Sequence, residues 1–137
     1  MSNKSMGTQF EQDFCEILFN NGFWAHNAAQ KVEGQPSDVI AVKGDRAFLI
    51  DCKVCSRDKF PLSRIEENQK LSMSLWEKRS DFYAWFALKT SDDIYMVSFA
   101  RMKELEDTAH RSITGSHFLL YGYPLKEWLR LMERVLK

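Results

Sequence analysis

The segment DVIAVKGDRAFLIDCKV, residues 38 to 54, constrains the fold more than any other stretch. Two β-rich runs flank Gly44-Asp45, a pair suited to a tight hairpin turn, so the runs are expected to pair antiparallel. Such pairing carries Asp38, which opens the first run, to the same end as Asp51 on the second. Side-chain alternation sends Phe48, Ile50 and Cys52 to one face and Leu49, Asp51 and Lys53 to the other. An acid and a lysine therefore share a face at the end of an apolar strand. Desolvating either charge is expensive unless it is paired or used.

Upstream, apolar residues Phe10, Phe14, Ile17 and Leu18 recur at helical spacing, with Thr8 as N-cap, Glu11 completing a capping box and Gly22 ending the helix. FWAHNAA, residues 23 to 29, reads as a first strand, and KVEGQPS as a loop that Pro36 keeps extended. Downstream, SRDKFPL is a polar loop. RIEENQKLSMSLWEKR has helical spacing, with Ile65, Leu71 or Leu75, and Trp76 as inward candidates. DFYAWFALK and DIYMVSFA make two more strands, the first apolar on both faces and so central. A short helix from Arg101 to Glu106 and a weakly patterned HRSITGSHF follow. PLKEWLRLMERVLK starts a helix at proline and carries a stripe of Leu125, Trp128, Leu129, Met132 and Leu136, read as core or as a dimer face. The order predicts an α/β fold: a single domain over residues 1–137, built on a central mixed five-stranded sheet flanked by helices, with 1–6 as a flexible arm.

At 137 residues the chain matches one ordinary domain. Its longest apolar run, YAWFAL, is far short of the roughly 20 residues a membrane helix needs, and the N-terminus has no apolar signal core, which implies a cytoplasmic protein without membrane contact. With 19 basic and 19 acidic residues the net charge is zero, so attraction to nucleic acid has to be local. Three cysteines argue against a disulfide framework. Cys52 and Cys55 form a CxxC, but no second CxxC or HxxxH follows, and the pair is read as buried or incidental thiols. His26, His110 and His117 have no ligand spacing and are read as structural or surface residues.

Glu11, Asp38, Asp51 and Lys53 call for one explanation. Two aspartates brought together repel each other, and the usual remedy is a hard divalent cation bound through oxygen. Mg²⁺ fits best, since it is commonly held by one or two carboxylates with waters and phosphate oxygens. Lys53, one pleat along, would stabilise negative charge developing on phosphorus or position the nucleophile. The bland alternative is an ion pair at the sheet edge, worth ~0–1 kcal/mol.

GTQFEQDF, PSDVIAVKGDRAFLIDCK and FPLSRIEENQKL, taken in order, resemble the successive motifs of the PD-(D/E)xK nuclease superfamily, and within it the Holliday-junction resolvases of the archaeal and RecU kinds. Gly7 and Glu11 match its Gly-x-x-x-Glu helix start, Pro36 and Asp38 its Pro-x-Asp strand start, and Asp51 and Lys53 its (D/E)-x-K strand end. Phe60-Pro61-Leu62 and Gln69 match the loop and Gln-bearing helix that follow. The resemblance covers residues 7 to 76 and implies a restriction-endonuclease-like fold. It also implies a metal, Mg²⁺ or Mn²⁺, on Asp38, Asp51 and the Cys52 backbone carbonyl, with Glu11 completing the site directly or through water. Lys53 and Gln69 would address the water and the scissile phosphate. KGDR leaves room only for a tight turn, so the long insertion typical of RecU proteins is missing.

From Lys53 to Lys70 the chain carries Lys53, Arg57, Lys59, Arg64 and Lys70 against Asp58, Glu66 and Glu67, a local basic excess in which Arg57, Lys59, Arg64 and Lys70 are the candidate DNA contacts. The expectation is a metal-dependent endonuclease, a homodimeric resolvase of four-way DNA junctions, two cuts on a two-fold substrate calling for two sites. The alternatives are a nuclease of the same fold acting on duplex, flap or single-stranded DNA, a non-catalytic DNA-binding module, and a thiol or zinc protein using Cys15, Cys52 and Cys55.

Overall fold

The computed structural model describes residues 3–28, 39–80 and 82–135. Pro36 and Asp38, and with them the expected loop and the opening of the second strand, lie outside the described residues.

The hairpin forms as its turn chemistry dictates. β2 (Val39–Lys43) and β3 (Arg46–Val54) pair antiparallel from Lys43↔Arg46 to Val39↔Ile50, and Gly44 takes the positive φ of 63° that the turn requires. β1 (Trp24–Asn27) adds to the outer edge of β2. β3 then leads through a helix into β5 (Ala84–Lys89), which pairs with it in parallel; β6 (Ile94–Ser98) returns antiparallel. β5 is buried on both faces from Ala84 to Leu88, the central position its sequence predicts. The main sheet has the order β1-β2-β3-β5-β6-β8 and six strands, one more than expected. The extra strand, β8 (Tyr123–Pro124), has two residues, too short for any alternation to reveal, and its proline is tolerated because it lies at the sheet edge. A second, two-stranded sheet pairs β4 (Lys59–Pro61) with β7 (Ser112–Thr114), inside stretches read from sequence as loop and unpatterned chain.

Helices cover both faces. On one, Phe10, Phe14 and Leu18 of α1 (Asn3–Asn20) and Trp128 and Met132 of α5 (Leu125–Val135) pack on Phe48, Ile50 and Cys52. Trp128 is the hub, with Phe48 and Trp85 edge-on at 5.7 Å and Phe23 stacked at 5.9 Å. The described part of the α5 stripe, Leu125, Trp128, Leu129 and Met132, is therefore core rather than a dimer face, and Leu136 lies outside the described residues. On the other face, Met73 of α2 (Glu67–Ser80), Met102 and Leu105 of α3 (Phe99–Asp107), Phe118 of α4 (His117–Tyr121) and Phe60 and Ile113 of the small sheet pack on Leu49, Phe86 and Leu88. Among the described residues, no helix is long and apolar enough to cross a membrane.

Three expectations are corrected. Residues 3–6 are the opening of α1 rather than a flexible arm, and Thr8 lies inside the helix rather than capping it. Gly7 is accommodated because nothing packs where its side chain would stand. In α2, Leu71 and Leu75 are exposed (72% and 54%), while Gln69 and Met73 face inward.

Candidate active site

β3 lies between β2 and β5, and its carboxyl end meets the carboxyl end of the parallel β5, the end of an α/β sheet where ligands usually bind. The alternation holds: Leu49 joins the α2-side core, and Asp51 and Lys53 follow it on that face. Asp51 is 1% exposed, and the Lys53 Nζ lies 3.0 Å from its Oδ2. This is no ion pair at the sheet edge. Desolvating a carboxylate and an ammonium costs several kcal/mol each, and a pair in such a place is weak support for stability. Catalytic sites accept this cost.

The other Asp51 oxygen, Oδ1, accepts a bond from Gln69 Nε2 at 3.0 Å. Gln69 can donate there because its own Oε1 accepts the backbone N–H of Glu66 at 3.2 Å. Glu66 precedes the first residue of α2, so Gln69 makes the reach-back half of a capping box. One amide thus caps α2 and orients the carboxylate, which explains why a polar residue takes the inward position and rotates Leu71 outward.

A groove of about 870 Å³ runs past this strand end. It is lined by Lys53, Arg57, Lys59, Arg64 and Lys89, with Asp58 the one carboxylate among the described lining residues. Arg64 donates to the Val54 carbonyl at 2.8 Å and lies over the Phe60 ring. Lys89, which the sequence analysis passed over, lies over the Phe10 ring and is in register with Val54. It closes the strand that runs parallel to β3, a pairing that the sequence pattern does not reveal. Lys70 does not line this groove; its ammonium bonds Glu106 (2.9 Å) and Glu67 (3.3 Å), which raise its pKa.

Glu11 is buried in α1, one turn beyond Gly7, which lines the groove from the other face of the sheet. The Cys55 N–H bonds the Lys89 carbonyl at 2.8 Å, so alternation turns the peptide groups of Lys53 and Asp51 towards β5 and that of Cys52 towards β2. The described donors at this end are therefore carboxylate and peptide oxygens, the ligand class that suits Mg²⁺ or Mn²⁺. Among the described residues no three His, Cys, Asp or Glu side chains gather into a metal cluster. The three thiols do not share one site either, since Cys15 and Cys52 belong to one core and Cys55 to the other. Cys52 packs in the α1-side core and Cys55 in the α2-side core, where burial pushes its pKa up to about 11. That disfavours the thiolate a zinc or redox site needs.

A sequence model of the archaeal Holliday junction resolvase family (Hjc) matches residues 2–135. No curated protein matches the chain in sequence. Among solved structures the fold is similar to that of Archaeoglobus fulgidus Hjc, a Holliday junction resolvase from an archaeal hyperthermophile. The TM-score is 0.68 at 23% identity, covering 90% of this chain and 99% of that one. With a match across nearly its whole length, the chain belongs to the archaeal Holliday junction resolvase family.

Proposed function

We propose that the protein is a Mg²⁺- or Mn²⁺-dependent endodeoxyribonuclease that resolves four-way DNA junctions by paired symmetric cuts and acts as a homodimer. The observation that carries the reading is the buried Asp51, held by Lys53 and Gln69 at the head of a cationic groove. Asp51, Asp38, the Cys52 carbonyl and Glu11, directly or through water, would hold the metal. When bound, such an ion polarises a phosphodiester and lowers the pKa of its water.

The chain's own residues supply the rest. Gln69 keeps the Asp51 carboxylate in one orientation, as outer partners of metal ligands do. The Lys53 ammonium stands beside that carboxylate and would meet the negative charge that grows on the phosphorane oxygens. Arg57, Lys59, Arg64 and Lys89 would take the flanking backbone phosphates, a contact that is strongly salt-dependent. A two-fold junction requires two cuts, which a dimer with one site per subunit delivers.

The test is incubation with labelled four-way junction and matched linear duplex in Mg²⁺, Mn²⁺ or EDTA. Paired cuts in the junction alone, abolished by EDTA, are expected. Equal cutting of the duplex would remove junction selectivity, and binding without cutting in either metal would favour a DNA-binding module.

A further inference from the structure

The chain leaves β3 through a turn in which two consecutive non-glycine residues are left-handed: Arg57 at φ 56° and Asp58 at φ 52°. Such a conformation is rare for residues with a Cβ and persists only where the surroundings impose it. Here the constraint is visible. The Asp58 Oδ1 accepts the Ser91 backbone N–H at 2.7 Å and its Oδ2 accepts the Ser91 hydroxyl at 2.5 Å, a two-pronged hold across 33 residues of sequence.

Ser91 is a firm anchor because its own turn, between β5 and β6, is internally bonded. The Thr90 N–H bonds the Asp93 carbonyl at 2.9 Å, Thr90 Oγ1 bonds Asp92, and the Tyr95 hydroxyl donates to Asp92 at 3.1 Å. The left-handed turn is tied on both sides as well, by the Cys55 bond to Lys89 before it and by the β4–β7 pairing after it. Its exposed residue, Arg57, lines the same groove as Lys53.

We propose that Asp58 is a positioning residue: by gripping Ser91 it holds the strained turn that directs Arg57 to a backbone phosphate of the bound DNA. The proposal rests on the reading of this groove as the DNA-binding surface. It makes a prediction of unusual sign. An acid in a DNA-facing groove repels phosphate, so a purely electrostatic Asp58 would bind DNA more tightly once removed. A positioning Asp58 would bind it less tightly.

Junction binding, measured in EDTA against salt concentration, tests this on wild type, Arg57→Gln, Asp58→Ala and the double variant. Arg57→Gln is expected to weaken binding about tenfold and to lower the slope of log K against log salt by about one. Asp58→Ala is expected to weaken it several-fold despite the gain in net charge. The double variant should bind no worse than Arg57→Gln alone, because Asp58 acts through Arg57. Unweakened or tighter binding by folded Asp58→Ala, or additive losses in the double variant, overturns the proposal. If Asp58→Ala does not fold, Ser91→Ala, which removes only the hydroxyl, serves in its place with a loss of about twofold expected and no loss contradicting. Trypsin cleavage after Arg57 adds a reading without DNA: it should accelerate in Ser91→Ala, which leaves the residues of the cleaved bond unchanged, and an unchanged rate counts against the clamp. A wild-type protein that does not bind the junction would remove the DNA reading as well, whereas intact wild-type binding with an indifferent Asp58→Ala removes this inference alone.

Discussion

The protein has a large concavity at each end of its central sheet, and the two differ most in charge. The groove at the carboxyl ends of β3 and β5 has a volume of about 870 Å³; the cleft near their amino ends, beside Arg46, Tyr83 and Trp85, has about 670 Å³. In the first, among the described lining residues, five cations, one of them paired with the buried Asp51, face one carboxylate, Asp58, and that carboxylate is engaged with Ser91. In the second, charge is balanced among the described lining residues: Arg101 pairs with Glu104 at 2.8 Å, Arg46 lies over the Phe82 ring, and Glu127 stands nearby. Among the described residues, the first has the buried Asp51 and its Lys53 partner at its head. Volume does not distinguish a reaction site here; uncompensated cationic charge beside a desolvated carboxylate does.

The sharpest way to break this comparison is Lys53→Ala, which removes the cation proposed to meet the reacting phosphate. Single-turnover junction cleavage should fall by about 10²–10³-fold with binding weakened far less. Gln69→Ala comes next, with a loss of about 10–100-fold in cleavage or in apparent metal affinity, as for other groups that orient a ligand. Gln69→Ala also removes the cap of α2 and Lys53→Ala leaves the buried Asp51 without its cation, so the melting temperature should fall in both, and the loss of metal affinity in Gln69→Ala is what separates them.

Arg64→Ala belongs to the groove wall. Binding should weaken by about tenfold and the salt slope should drop by about one, with the cleavage rate of bound junction little changed. In the far cleft, Arg101→Ala should change neither binding nor cleavage by more than about twofold; a loss comparable with that of Arg64→Ala would erase the distinction between the two ends.

A pH scan of stability separates the site's architecture from its chemistry. Cys55 and Lys70 both have raised pKa values, the first through burial, the second chiefly through its bond to Glu106. A raised pKa in the folded state favours the protonated form, so the stability it contributes is complete below the unfolded value, about 9 for the thiol. It is lost as pH rises through the folded value, about 11 for Cys55. The melting temperature should therefore decline across that alkaline window, and Cys55→Ala should flatten the decline while leaving junction cleavage intact.

What was legible in the sequence was local and periodic. The hairpin followed from Gly44-Asp45, and the shared face of Asp51 and Lys53 followed from the pleat. α2 shows the limit of that reading. Its inward line contains Gln69 and Met73, because the amide bonds Asp51, whereas hydrophobicity alone selects Leu71 and Leu75, which face solvent. Glu66 is not a residue type that announces an N-cap, so the reach-back bond of Gln69 had no sequence signature. Thr8 and Glu11 did carry that signature, yet the helix continues through Gly7 to Asn3. Lys89 and the Asp58–Ser91 hold depend on partners brought together only by the parallel pairing of β3 with β5, a contact between distant segments that periodicity does not encode.

The most direct measurement is junction cleavage by Asp51→Asn beside wild type in Mg²⁺, with binding recorded on the same samples. The account predicts that the variant still binds the junction within a few-fold of wild type and cuts it on the order of 10³-fold more slowly, because a neutral amide oxygen holds a hard cation more weakly than a carboxylate and does not face Lys53 with charge. Cleavage by Asp51→Asn at the wild-type rate would contradict it, and the buried pair at the end of β3 would then need another explanation.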